Sequence, residues 1–241
     1  MHRIEIPEAI RERGRKAHGG RDHFLTNIDP SRTAHIIVDL QKAFMSPGAP
    51  IEVPVAREIV DNVNRISIAL REAGGLNIFL RYTYDEKEKL SWTAFYRDYQ
   101  DSSQTEMMRE TFSPGALYFE LWDDLDVQPD DLIVNKTRFS GMIPETCNLH
   151  DILQERGIDT LIVTGTLTNC CCESTARDAM QMNYRIIFVA DGNAALTDEE
   201  HNATLSSMAA IFADVMMTDQ VVDVIEATRE ARLVAASAAV R

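Results

Sequence analysis

The chain has 241 residues and carries 38 acidic against 24 basic side chains, a formal net charge of −14. That balance opposes non-specific binding to nucleic acid or to an anionic membrane, and no apolar run is long enough to span a bilayer. A hydrophobic content of 45% at this length suits one α/β domain.

Residues 1–33 read as an N-terminal extension, 34–230 as the domain and 231–241 as an alanine-rich, frayed tail. The extension is charged and lacks the apolar stretch of a secretory signal. The first strand is read at 35–39, in His35-Ile36-Ile37-Val38-Asp39. A helix follows over 55–73, with Ile59, Val63, Ile66 and Leu70 at helical spacing and Gly74-Gly75 as its stop. A second strand spans 77–82. Residues 83–130 have weak periodicity and many aromatics, which reads as a long excursion that covers a site or meets another subunit. Strand and helix then alternate: strand 131–135, helix 145–156, strand 160–163, a cysteine-headed helix to about residue 182, strand 185–191, helix 198–212, strand 214–217 and helix 219–229. This alternation predicts a central, mostly parallel sheet with helices on both faces, a three-layer α/β/α sandwich. Ligands in such sheets bind beyond the carboxyl ends of the strands.

Three chemically capable residues stand just past apolar strands. Asp39 ends the first strand, Lys136 follows Leu132-Ile133-Val134-Asn135, and Cys171 follows Leu161-Ile162-Val163 by a short loop. Thr168 or Asn169 is the expected cap of the helix that the cysteines open. Backbone N–H groups at a helix N-terminus favour negative charge, so a thiol there loses its proton more readily. Acid, lysine and thiol at one sheet edge make an activated nucleophile: the carboxylate takes the thiol proton and the ammonium stabilises the anions. Taken singly, an Asp at a strand end is often a turn former, a Lys there is solvated, and a helical Cys is a small buried hydrophobe. All four cysteines, Cys147 and Cys170–Cys172, fit a reduced cytoplasmic compartment better than a disulfide framework.

Three segments carry a family resemblance. Val38-Asp39-Leu40-Gln41-Lys42-Ala43-Phe44 resembles the first motif of the isochorismatase-like cysteine hydrolases. Lys136-Thr137-Arg138-Phe139-Ser140-Gly141 is similar to their lysine motif, and the 164–175 segment around Thr168-Asn169-Cys170-Cys171-Cys172 resembles their nucleophile loop. The resemblance covers roughly residues 33–218, with the motifs in the family's order. It implies a catalytic triad of Asp39, Lys136 and Cys171. It places Cys170 and Cys172 where the family has small apolar residues, hence in the core, and leaves Cys147 incidental. It also implies a cis Thr166–Leu167 peptide and an oxyanion hole from the backbone N–H groups of Leu167 and Cys171.

The resemblance is nearest to the ureidoacrylate or carbamoyl amidohydrolase branch, although that branch's usual polar residue and tryptophan after the second strand are replaced by Tyr82 and Tyr84. The implied activity is hydrolysis of a C–N bond in a small linear amide or ureido compound through a thioester. Isochorismatase-type vinyl ether cleavage, a nicotinamidase-like aryl amidase and a non-catalytic α/β scaffold are the alternatives. The nicotinamidases hold a metal after the second strand with an Asp and paired His. Here Arg81-Tyr82-Thr83-Tyr84-Asp85-Glu86 lacks His, so neither a metal nor another cofactor is expected. Gln41, Phe44, Tyr82, Tyr84 and Phe139 are the substrate-binding candidates, with Trp92 beside them and Arg138 as a possible carboxylate partner. Arg177 and Asp178 read as a structural pair. The expected partners are a small-molecule substrate and further copies of the chain, as a dimer or tetramer.

Overall fold

The computed structural model describes residues 1–239, with side chains described except at position 88 and positions 233–239. Six strands form one sheet in the order β3-β2-β1-β4-β5-β6, and every neighbouring pair is parallel. They are β1 (Thr33–Val38), β2 (Leu76–Tyr82), β3 (Leu132–Lys136), β4 (Thr160–Thr166), β5 (Arg185–Ala194) and β6 (Asp214–Met216). β1 and β4 are buried along their whole length, as strands covered on both faces must be.

Alternate side chains of β1 feed the two faces. Ala34, Ile36 and Val38 pack with Leu149 and Leu153 of α6 (Leu149–Glu155), Ala176 and Ala179 of α7 (Glu173–Gln181) and Leu205 of α8 (Asp198–Ser207). On the other face, Ile162, Ile187 and Val189 meet Ile66 and Leu70 of α3 (Val60–Glu72) and Val221 and Ile225 of α9 (Thr218–Ala239). The expected three-layer sandwich is therefore the observed one.

Several boundaries differ from the sequence reading. The 55–73 helix opens with a 3₁₀ turn, Pro54–Ile59, before α3 begins. The 145–156 helix starts only at Leu149, because Glu145 adopts a positive φ of 67°. The excursion is largely helical: α4 (Glu86–Ser91), a π-helical turn (Phe95–Tyr99) and α5 (Ser102–Phe112), the last opened by an Asp101/Gln104 capping box. The last helix runs on to Ala239 where a frayed tail was expected; residues 240–241 of that tail lie outside the described residues.

The N-terminal extension docks on the domain. Its α1 (Glu8–Ala17) lies against the turn after α8, His2 stacks on His201 with ring centroids 4.3 Å apart, and Asn202 clasps the backbone of Arg3 and Glu5. No helix among the described residues is long and apolar enough to cross a membrane.

Candidate active site

The strand order reverses between β1 and β4, since β1 connects outward to β2 and β4 outward to β5. A crevice opens at the carboxyl ends of such a pair. Parallel register aligns those ends: Val38 pairs with Leu80 and Gly165, and Tyr82 pairs with Lys136. Asp39, Lys136 and Cys171 are thereby brought to one place.

Gly165 makes the close approach possible. A Cβ there would lie 2.1 Å from the Val38 carbonyl oxygen, and its φ of +125° is open to glycine almost alone. Asp39, next to Val38, takes a left-handed φ of 51°, an uncommon conformation that turns the chain out of β1. The Thr166–Leu167 peptide is cis, as the motif implied.

Lys136 Nζ donates to Asp39 Oδ2 at 2.8 Å and to the Arg138 carbonyl at 3.1 Å, and both side chains of the ion pair are fully buried. The ammonium also lies 5.2 Å from the centre of the Tyr82 ring. Burial raises the Asp39 pKa, and Lys136 pulls against it. Burial works against the Lys136 charge, but Asp39 and Cys171 outweigh it and raise the lysine's pKa. The other Asp39 oxygen, Oδ1, is buried without a hydrogen bond of ordinary geometry. The Cys171 thiol is close enough to act on this carboxylate, lowering its pKa.

The cysteine segment differs from its expected form. Thr168–Cys172 is a π-helical turn leading into α7, and no side chain caps it. The Thr168 hydroxyl is instead 2.9 Å from His201 Nδ1. The Cys171 thiol is not lowered as a helix N-terminus alone would suggest: the neighbouring Cys170 thiol and burial raise its pKa, against the pull of Lys136. Cys172 is core, as expected, with Sγ 4.0 Å from the Thr164 carbonyl. Cys170 is not: it is half-buried and lines the cavity beside Cys171.

That cavity, about 650 Å³, opens over Cys171 and Leu167. Of the substrate-binding candidates, Phe44, Tyr82 and Phe139 line it. Gln41 and Tyr84 do not. Gln41 is fully buried and braces the backbone: its Nε2 donates to the Tyr82 and Phe119 carbonyls and its Oε1 accepts from the Tyr82 N–H. Tyr84 faces a separate surface cleft and donates to Glu86 at 3.0 Å. Arg138 stacks over Trp92 at 4.8 Å and donates to Ser91 Oγ and the Thr137 carbonyl, outside the cavity lining. Arg177 pairs with Glu173, four residues before it, rather than with Asp178.

Sequence reading expected the excursion to cover a site or meet another subunit but did not name the wall residues it supplies: Phe95, Gln100, Met108 and Phe112. The aromatic density of 92–99 was its one visible signal. Among the described residues no group of three or more His, Cys, Asp or Glu side chains is arranged to hold a metal.

Comparisons with known proteins bear on the family and the fold. Residues 33–220 match the isochorismatase domain model. The fold resembles a cysteine hydrolase from Pseudomonas syringae pv. phaseolicola 1448A at 28% identity, over 83% of this chain and 95% of that one, with a TM-score of 0.71. It also resembles N-carbamoylsarcosine amidase from Thermoplasma acidophilum (24% identity, 78% and 97% covered, TM-score 0.62). A third similar fold is the pyrazinamidase of Pyrococcus horikoshii in complex with zinc (23% identity, 77% and 99% covered, TM-score 0.65). With the doubly wound sheet, the crevice at its switch point and a domain match over most of its length, this chain belongs to the isochorismatase family of hydrolases.

Proposed function

We propose that the protein is a cysteine-dependent amidohydrolase that cleaves the C–N bond of a small amide or ureido compound through a thioester. The observation that carries this reading is the position of Asp39, ion-paired through one oxygen to buried Lys136 and acting through its carboxylate on Cys171, beneath a cavity that exposes the thiol's side.

The chemistry follows from the charges. Burial favours the neutral acid at Asp39, and Lys136 opposes it by favouring the carboxylate. Cys171 holds its proton at rest, because burial and Cys170 raise its pKa. When substrate enters, Asp39 takes that proton and the thiolate sulfur attacks the carbonyl carbon. The carbonyl oxygen becomes an oxyanion, met by the backbone N–H groups of Leu167 and Cys171, donors of the kind worth about 10²–10³ in rate each. Asp39 returns the proton to the nitrogen as the C–N bond breaks, and ammonia or an amine departs. Water, deprotonated by Asp39, then attacks the thioester carbonyl and releases the acid and the thiol.

The two amidase neighbours, each below 25% identity, support the fold of such an enzyme. The four free thiols fit a reducing cytoplasm. Exposed Leu90, Tyr99 and Leu117, all in the excursion, fit a homo-oligomeric contact there. Stopped-flow mixing with substrate followed by acid quench and intact mass analysis tests the mechanism. It should reveal a Cys171-bound acyl group in wild type and none in Cys171→Ala. Undiminished turnover by Cys171→Ala overturns it.

A further inference from the structure

The cavity wall has an unusual composition for a site that takes a small polar amide. Phe44, Tyr82, Phe95, Phe112 and Phe139 supply five aromatic rings, and Ile51, Val53, Met108 and Leu196 extend the apolar surface. Among the described residues no Lys, Arg or His side chain is in the lining. Lys136 lies beneath it, committed to Asp39. Arg138 is held outside it on Trp92 and Ser91. The charged side chain that does reach the wall is an acid, Glu52, which is 2.8 Å from Arg57 and accepts from the Gly48 N–H. The remaining polar side chain apart from the thiols and the Tyr82 hydroxyl is the neutral amide of Gln100, whose Oε1 is buried with no hydrogen-bond partner.

We infer that this site takes an uncharged amide with a bulky apolar or aromatic acyl group, that Gln100 offers it a hydrogen-bond acceptor, and that amides bearing a carboxylate are rejected. The inference rests on the amidohydrolase reading and narrows its substrate class. The physical argument is one of desolvation. A carboxylate drawn into an apolar cavity loses its hydration and recovers it only from a cation, and among the described lining residues there is none: the one charged group, Glu52, is an acid already paired with Arg57. An apolar acyl group gains from the same surface, and ring–ring contacts add to that gain. Gln100 Oε1, unsatisfied and buried, costs the empty site free energy that an N–H donor on the substrate would recover. Cavities of this size bury most of a molecule the size of a substituted phenyl amide.

Two measurements separate this inference from the amidase reading itself. The first uses no catalysis: the rate of Cys171 alkylation, followed by peptide mass spectrometry and normalised to free glutathione, for N-benzyl-2-iodoacetamide against iodoacetate. The expected preference for the neutral reagent is about 100-fold or more, two decades corresponding to a modest desolvation penalty. The second compares ammonia release from 3-phenylpropanamide and from succinamate, with the same preference expected in kcat/KM. Ile51→Lys, at a half-buried lining position, should narrow both ratios about tenfold. Gln100→Met should lower kcat/KM for 3-(4-aminophenyl)propanamide relative to its 4-methyl analogue. Equal or faster labelling by iodoacetate overturns the inference, as does preferred hydrolysis of succinamate, which leaves the amidase reading intact. Selective labelling by the neutral reagent without hydrolysis of 3-phenylpropanamide overturns the apolar-amide assignment, whereas the amidase reading is decided by the acyl-enzyme experiment above.

Discussion

Lys136 Nζ lies 2.8 Å from Asp39 Oδ2, and neither side chain has any exposed surface. A buried pair of this kind is held by mutual need: removing one partner leaves the other charge without water or counter-ion. Lys136→Met and Asp39→Asn should each lose about 3–5 kcal/mol of stability. The double variant should be more stable than the Lys136→Met single, because no lone carboxylate remains. All three should lose turnover by about 10²–10⁴ and should not add in the double variant, since base and partner act as a unit. Urea denaturation and steady-state kinetics read the two effects separately. Full activity in a folded Lys136→Met enzyme removes the lysine from the mechanism.

Cys170 and Cys171 make a second test, one of proton position. The Cys170 thiol is the largest cause of the raised Cys171 pKa, and the same pairing of thiols lowers that of Cys170. Cys170→Ala removes that contribution and leaves the downward pull of Lys136. The pH midpoint of Cys171 alkylation should therefore move down. Cys172→Ala, in the core, should leave the midpoint where it is and cost stability instead, on the order of 1 kcal/mol for a small buried side chain. A midpoint unmoved in Cys170→Ala shows that the two thiols do not share a proton.

Much of this was legible in the chain because it depends on local pattern. The apolar runs 35–38 and 160–163 read as strands covered on both faces, and Asp39, Lys136 and Cys171, each just past a strand, converge once the strands are parallel. What the pattern cannot carry is contact across the fold. Phe95, Met108 and Phe112 become cavity walls only after the excursion folds back over β1 and β2. Gln41 follows Asp39 by two residues and looks equally close to the chemistry, yet its amide is fully used by the backbone at Tyr82 and Phe119. Cys170 was placed in the core on family grounds, but the π-helical turn at Thr168–Cys172 shifts the direction of each side chain from that of a regular helix and leaves it at the cavity wall.

Gly165 gives a prediction about architecture. Any side chain there meets the Val38 backbone, with the carbonyl oxygen 2.1 Å and the nitrogen 2.7 Å from the Cβ position. Backbone cannot rotate away as a flexible side chain can, so β4 would have to separate from β1. Those two strands deliver Cys171 and Asp39. Gly165→Ala should therefore destabilise by about 4 kcal/mol or more and abolish activity in any fraction that folds. Circular dichroism melts and soluble yield measure the first effect. A variant melting within a few degrees of wild type would show that the two strands are not locked at this point.

The last prediction concerns stability in acid, and its sign follows from a histidine. His35 is fully buried in β1, with Nε2 2.8 Å from Thr164 Oγ1 and Nδ1 3.1 Å from Ser67 Oγ. Burial, with a smaller contribution from Arg71, lowers its pKa from 6.5 to about 3. The unfolded chain thus binds a proton at pH 5 that the folded protein refuses. The stability from neutral His35 is fully present above the unfolded pKa and is lost as pH falls from 6.5 towards 3, by up to about 1.4 kcal/mol per pH unit. His201, lowered to about 4 chiefly by burial, acts in the same direction. His23 acts oppositely: its hydrogen bond to Asp214 raises its pKa, so its contribution is present below the unfolded value and fades as pH rises through the folded one. Comparing wild type with His35→Asn isolates one group from the others. Urea denaturation at pH 7.5, 6.0 and 5.0 should show wild type losing stability more steeply than the variant, even though the variant starts lower at pH 7.5 for want of the imidazole's packing. Parallel pH slopes for the two proteins would mean that His35 does not couple folding to protons.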